Sequence, residues 1–506
     1  MATPVPDGWP SPPETEVQNP AYRSTAKGGP EGPSFYFRHH VANSATPRLK
    51  PTGIGYARRT LTTELEILPD TPSGKKLRWV LSGITKGGEL PSLSLIEESF
   101  NEKFLRAFDG AEGILRILSQ LQEQLGEGSL DRVVETDDPK DEDYETVVVA
   151  WALGKLRIRI SLTTEEAAPN KIAGLLLRPA PELMEEPLAA SWDEVSSELG
   201  KLGERTNLIA AEVVGDELAP ILLVGEDRYL AIGSTFKLYV LGALGEAVLQ
   251  GEIEWSDEIA IQDEWKAIPS GVLQNEDEGT NVTVEEMATK MISISDNTAT
   301  DHLMHTLGRA AAESYMTRAQ HSKPKLNIPF MSTREMTILK LGMSPEERDA
   351  YVAKGPDERR KFLEGELAKR ELPLLEDEQS GWVGGRHVET IEWFASPIDL
   401  ARVMVSLRAD MGHPVNKPMR SILAANPGMT FDRRVWPYVG FKGGGEPGVL
   451  SMTWLMLRRD LRWFVLSMTF NDDSGEVELW DSVALATACA NLLGEHTKPP
   501  ADEDLI

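Results

Sequence analysis

The strongest constraint on this chain is where its strand-forming segments fall. Two β-rich runs, Asn207–Val214 and Ala219–Val224, are followed by a long stretch of helical patterning. Three more, Trp436–Lys442, Val449–Leu457 and Trp463–Thr469, come only near the C-terminus. Short apolar runs rich in β-branched and aromatic residues, bounded by Gly, Asp and Pro, read as strands. The pattern predicts one sheet assembled from both ends of a domain, with the helical middle packed against it. A helix with an apolar stripe, Val477–Leu493, closes the pattern. Another opens it at Ser191, where Ser191 and Glu194 have capping-box spacing. The fold class is mixed α/β, of the α+β kind.

A chain of 506 residues is too long for one ordinary core. Residues 1–55, rich in Pro, Gly and Ser, read as a disordered arm. Residues 56–180 read as a small α+β domain. In it, Leu61–Leu68 and Leu77–Leu81 have strand-like composition, and Ser92–Leu121 carries apolar residues such as Ile96, Phe100, Phe104 and Phe108 at helical spacing, predicting a helix pair. An acidic loop, Glu135–Glu145, leads to strands at Thr146–Ala152, Lys155–Leu162 and Lys171–Leu177. Residues 181–190 are a linker, 191–496 the main domain, 344–379 a charged helical insertion and 497–506 a flexible tail.

Charge and composition exclude several function classes. A formal charge of −28 would repel a phosphate backbone, so no nucleic-acid partner is expected. Cys489 is the only cysteine, which excludes a disulfide framework within the chain and a cysteine-based zinc cluster. No apolar run approaches the ~20 residues that span a bilayer. The first thirty residues hold no apolar secretory core, and the expectation is a cytoplasmic protein. No cofactor is implied.

Ser234-Thr235-Phe236-Lys237 stands at the start of a long apolar segment, Phe236–Leu249, that reads as a buried helix. Residues three apart share a helix face, so a hydroxyl and an amine come within reach. Free N–H groups at the helix start can hold an oxyanion, and a buried lysine gives up its charge readily enough to serve as a base. Alone, the motif reads more simply as a capping serine beside a solvated lysine. It is not alone: Ser295-Asp296-Asn297 precedes a helical stretch from Thr298 to Leu307, and Lys442-Gly443-Gly444-Gly445 ends a strand. The glycine run is no phosphate loop, because a strand rather than a helix follows it.

In order and placement these three motifs resemble those of class A β-lactamases and penicillin-recognising serine hydrolases. Glu392-Trp393-Phe394-Ala395-Ser396-Pro397, followed by Asp399-Leu400-Ala401, resembles a late helix start in that family. The small domain before the main one is similar, in element order, to the steroid-isomerase-like domain of one subgroup, which includes the β-lactamase-like protein of clavulanic acid gene clusters. The resemblance implies Ser234 as nucleophile, Lys237 as its base or proton relay, Ser295 as proton donor to the leaving group and Lys442 as the group that lowers the pKa of Ser295 and attracts an anionic substrate. It further implies Asn297 and Gly443–Gly445 as substrate-binding positions, the backbone N–H groups of Ser234 and Gly445 as an oxyanion hole, and a small acyl substrate, β-lactam or ester. Asp296 is expected to organise its own loop.

The chain also departs from the pattern. Gly443 replaces a threonine whose hydroxyl would lie beside a substrate carboxylate. No E-x-x-L-N run carries a deacylating glutamate; Glu335 lies in the right region, but Ser332-Thr333-Arg334-Glu335 fits a capping box. The expected outcome is slow deacylation, suited to esters or acyl transfer. The insertion reads either as a solvated flap or as a lid. His302 and His305, three apart on a helix, have no partner pattern for a metal, and packing or surface roles are expected. Alternative readings are a D,D-peptidase or transesterase, and a non-catalytic ligand-binding protein on the same fold.

Overall fold

The computed structural model describes residues 65–497, apart from 109, 135–142, 181–182, 185, 204, 374–383 and 476. The arm, most of the acidic loop, part of the insertion and nearly all of the tail therefore lie outside the described residues.

The five strands read from the two ends of the main domain do form one sheet. Strands β5 (Arg205–Val214), β6 (Glu217–Val224), β11 (Tyr438–Glu446), β12 (Val449–Leu457) and β13 (Trp463–Asn471) run in the order β11-β12-β13-β5-β6, every neighbour antiparallel. β5 is an interior strand, buried on both faces. Its alternate residues divide between two cores: Leu208 and Ala210 face one, Ile209 and Ala211 the other. The first core is closed by the helices Trp192–Leu199 and Leu479–Glu495. The second is the larger and holds the helical middle, centred on the helix Lys237–Gln250. That helix is apolar nearly all round, as a helix passing through a core must be.

The small domain is a second α+β layer. Strands β1 (Ser129–Val133), β2 (Tyr144–Leu153), β3 (Leu156–Glu165) and β4 (Ile172–Pro179) make an antiparallel meander, and helices cover one face. Three expectations there are corrected. Leu65–Ile67 is a 3₁₀ turn, and Leu77–Leu81 lies within the helix Pro72–Ile84. Leu77, Val80, Leu81 and Ile84 bury one helical stripe, and Thr71 with Pro72 starts the helix as N-cap and first residue. The Ser92–Leu121 pair is three helices, Leu93–Ser99, Glu102–Ala107 and Gly110–Leu125, the first two capped by Ser92 and Asn101. β1, with its polar Ser-Leu-Asp-Arg sequence, had no strand signal.

In the main domain the corrections are local. Ser191 caps its helix, but the carboxylate of Glu194 takes the N–H of Ala190, not that of Ser191. The strand expected to end at Lys442 runs on to Glu446. The charged insertion is docked: Tyr351, Leu363 and Leu367, on or beside the helices Pro345–Val352 and Pro356–Gly365, are buried in the larger core.

Candidate active site

The motif around Ser234 is a 3₁₀ turn, Gly233–Phe236, that leads into the helix Lys237–Gln250. Two contacts fix it. The ring of Phe236 stacks on Trp393 with centroids 3.8 Å apart, and the Ile232 N–H donates to the Trp393 carbonyl at 3.0 Å. Gly233 has φ +47°, and a Cβ there would stand 3.1 Å from the Gly445 nitrogen. Ser234 is half-buried.

Lys237 is completely buried. Its Nζ donates to the Ser295 carbonyl (2.7 Å) and to Asn297 Oδ1 (2.7 Å), and lies 3.0 Å from Ser295 Oγ. Burial lowers its pKa to about 7, against the pull of Asp296 and Asp301. A neutral amine has two N–H bonds, and two fixed oxygens accept them. The remaining corner of the nitrogen, lone pair or third proton, is therefore the one left for exchange.

Lys442 approaches Ser295 from the other side. Its Nζ is 3.1 Å from Ser295 Oγ and also donates to the Gly443 carbonyl. Burial, then the neighbouring Lys237, holds its pKa well below the usual lysine range. One serine hydroxyl thus bridges two buried amines.

Ser295 keeps this position at a conformational cost, with φ +58°. Asp296 supports it as expected. One carboxylate oxygen caps the next helix at Ala299 N–H (2.8 Å), and the other accepts from Val272 (2.7 Å) and Leu273 (3.0 Å). Asn297 spends its amide on Ile268 O (3.1 Å) while its oxygen receives Lys237.

The glycines of β11 lie flat against the Ser234 turn. A Cβ on Gly444 would fall 2.1 Å from Ile232 O and 2.6 Å from Ser234 N, so only glycine fits. Gly445 is exposed beside the turn. Gly443 lacks a left-handed φ, but a Cβ there would meet the Phe441 ring at 2.9 Å. That ring is held from behind by Trp454, stacked at 4.9 Å, and by the backbone of Gly428. The space a threonine would need at 443 is filled.

Glu335 is a helix cap. It forms the capping box with Ser332, and its two oxygens take Arg309 at 2.6 and 2.9 Å. His302 uses both ring nitrogens, one on Thr298 O (2.7 Å) and one on Gln262 N–H (2.8 Å), while His305 stacks on Trp265. Among the described residues no group of three or more His, Cys, Asp or Glu is placed to hold a metal, and no helix is long and apolar enough to cross a membrane.

Sequence reasoning missed a buried trio beside the site, Lys340, Glu392 and Glu446. One signal was available: Lys442, Gly444 and Glu446 share a face of β11 by the two-residue period, so a charged residue at 446 had to point inward with Lys442.

Residues 197–410 match the family model described as the beta-lactamase enzyme family, which spans the Ser234 and Ser295 motifs and stops short of Lys442. Among solved structures, the chain is similar to a beta-lactamase from Sphaerobacter thermophilus (19% identity, TM-score 0.41, covering 62% of this chain and 100% of that one). It is also similar to a beta-lactamase from Francisella tularensis (12% identity, TM-score 0.42, 60% and 99%) and to PBP-A (17% identity, TM-score 0.39, 60% and 98%). No curated protein sequence matches it.

Proposed function

We propose that the main domain is a serine hydrolase working through an acyl-enzyme on Ser234, with a small ester, amide or β-lactam as substrate. The observation that carries the reading is the Lys237–Ser295–Lys442 relay: two buried amines of lowered pKa on one hydroxyl. A structural role does not explain it, because burying two lysines side by side without a carboxylate on either nitrogen is unfavourable.

In this reading neutral Lys237 takes the proton of Ser234 as Oγ bonds to the acyl carbon. The N–H groups of Ser234 and Gly445 hold the oxyanion. The C–O or C–N bond then breaks, the leaving group takes the Ser295 proton, and Ser295 is reprotonated from the lysines. Water finally cleaves the acyl-serine, returning the serine proton and the free acid. Gly443–Gly445 line the substrate, Asn297 holds the Lys237 amine through Oδ1, and Lys442 keeps the Ser295 proton mobile. The family match over residues 197–410 supports this chemistry. The engagement of Glu335 by Arg309 and Ser332 favours a long-lived acyl-enzyme, which suits ester cleavage or acyl transfer.

The test is covalent labelling. Wild-type protein treated with an activated acyl ester or a fluorescent penicillin should carry the adduct on Ser234. Ser234→Ala should take no label and lose turnover by several powers of ten, with an unchanged melting curve. Equal turnover by the two proteins would sink the serine mechanism.

A further inference from the structure

The trio of Lys340, Glu392 and Glu446 lies deep in the protein: Lys340 is 0%, Glu392 2% and Glu446 7% exposed. The Lys340 ammonium donates to Glu392 Oε1 at 2.6 Å and to Glu446 Oε1. Buried ion clusters of this kind are commonly no more stabilising than apolar side chains of the same volume. Fold stability alone therefore does not explain why a lysine and two glutamates occupy this place. What they connect does.

Glu446 follows Gly445 directly in β11. Glu392 Oε2 accepts the Trp393 N–H at 3.1 Å; the Trp393 carbonyl accepts the Ile232 N–H at 3.0 Å; the Ile232 carbonyl accepts the Thr235 N–H at 3.2 Å. Ser234 sits inside that last turn. A continuous path of hydrogen bonds and peptide units thus joins the two segments that carry the Ser234 and Gly445 N–H groups, and the ammonium closes it.

We propose that Lys340, acting through Glu446 and Glu392, is a positioning residue that fixes the separation of the two oxyanion-holding N–H groups. The inference rests on the acyl-serine reading above. Donors aimed at a developing charge work only when held in place beforehand, and small displacements are costly in rate. Lys340 belongs to the π-helical turn Ile338–Gly342 that leads into the charged insertion, and its carbonyl accepts from Arg348 of that insertion at 3.2 Å. The insertion thereby braces the tie from outside. Burial, then the nearby Glu392, holds the Glu446 carboxyl well above the usual carboxylate range, so a glutamine is a close stand-in for it.

The experiment compares full-length wild type, Glu446→Gln and Glu446→Leu. The leucine variant breaks the tie but leaves Lys340 and Glu392 as a matched pair, so no charge is stranded. The readouts are kcat and KM for an activated acyl ester, affinity for a boronic acid that forms a tetrahedral adduct on serine, and the melting curve. Expected for Glu446→Leu is a KM within about threefold of wild type, with kcat and boronate affinity both falling roughly tenfold to a hundredfold; Glu446→Gln should stay near wild type. If Glu446→Leu does not fold, the double variant Lys340→Met with Glu392→Gln breaks the same tie, and the same loss is expected of it. Wild-type kcat in a folded variant without the tie overturns the inference, as does an equal loss in the glutamine and leucine variants. A wild-type protein that takes no acyl group on Ser234 removes the hydrolase reading, and the inference with it.

Discussion

At the scale of single residues, the site is shaped as much by glycines as by its charged groups. Gly444 lets a strand lie on the Ser234 turn, and Gly443 and Gly428 make room for one aromatic ring. The last point decides what restoring a threonine at 443 would do. A Cβ at 443 points at Phe441 Cζ, and the ring cannot swing away because Trp454 and the Gly428 backbone hold it. Overpacking of this kind costs about 1–3 kcal/mol. Gly443→Thr should therefore lower the melting temperature and reduce kcat/KM similarly for a carboxylate-bearing ester and its neutral analogue. A selective gain for the acid would show that the hydroxyl reaches substrate and that Phe441 yields. The three motifs themselves were legible from the sequence because each is a local spacing. The roles of Phe441 and Lys340 were not, because they depend on which residues a strand and a distant turn bring face to face.

At the scale of elements, legibility followed the strength of the period. The central sheet was readable from long apolar runs bounded by turn residues, even with its halves far apart in the chain. The small domain was misread where runs were short: Leu77–Leu81 fits a strand until Thr71-Pro72 is recognised as a helix start. The capping box at Ser332–Glu335 was read correctly, since it too is a local spacing, and the structure adds Arg309 as a further partner. Glu335 and Arg309 are mostly buried, at 14% and 16% side-chain exposure. Removing the carboxylate would leave the Arg309 guanidinium without its nearest counter-ion and the Ser332 N–H without its acceptor, while Ser332 Oγ still caps the N–H of residue 335, a loss of roughly 3 kcal/mol. Glu335→Ala is expected to melt several degrees lower while its acyl-enzyme decays at the wild-type rate, followed by intact mass after a pulse of activated ester. Decay slowed tenfold or more would identify Glu335 as the hydrolytic base and contradict the capping role.

At the scale of the whole molecule, the last helix does two jobs. Most of Leu479–Glu495 seals the sheet of the main domain, with Leu485, Cys489 and Leu493 fully buried. Its first turn reaches the other way: Trp480 packs against the core of the small domain, and with Ala484 it lines a small cavity against Leu156, Ile158 and Pro179. The small domain is thus fastened to the end of a helix whose remainder belongs to the main domain, and the two halves should unfold together. Trp480 is half-buried, so its truncation removes a large apolar contact while leaving the main core whole. In Trp480→Ala the single melting transition should separate into two, with the earlier one belonging to residues 65–180. Turnover of an activated ester should persist until the later one, because every residue of the Lys237–Ser295–Lys442 relay lies in the main domain. Calorimetry followed in parallel with activity checks both points. A single transition at which both halves melt would mean that contacts other than Trp480 bind them, and loss of activity at the first of two transitions would place the small domain among the supports of the active site.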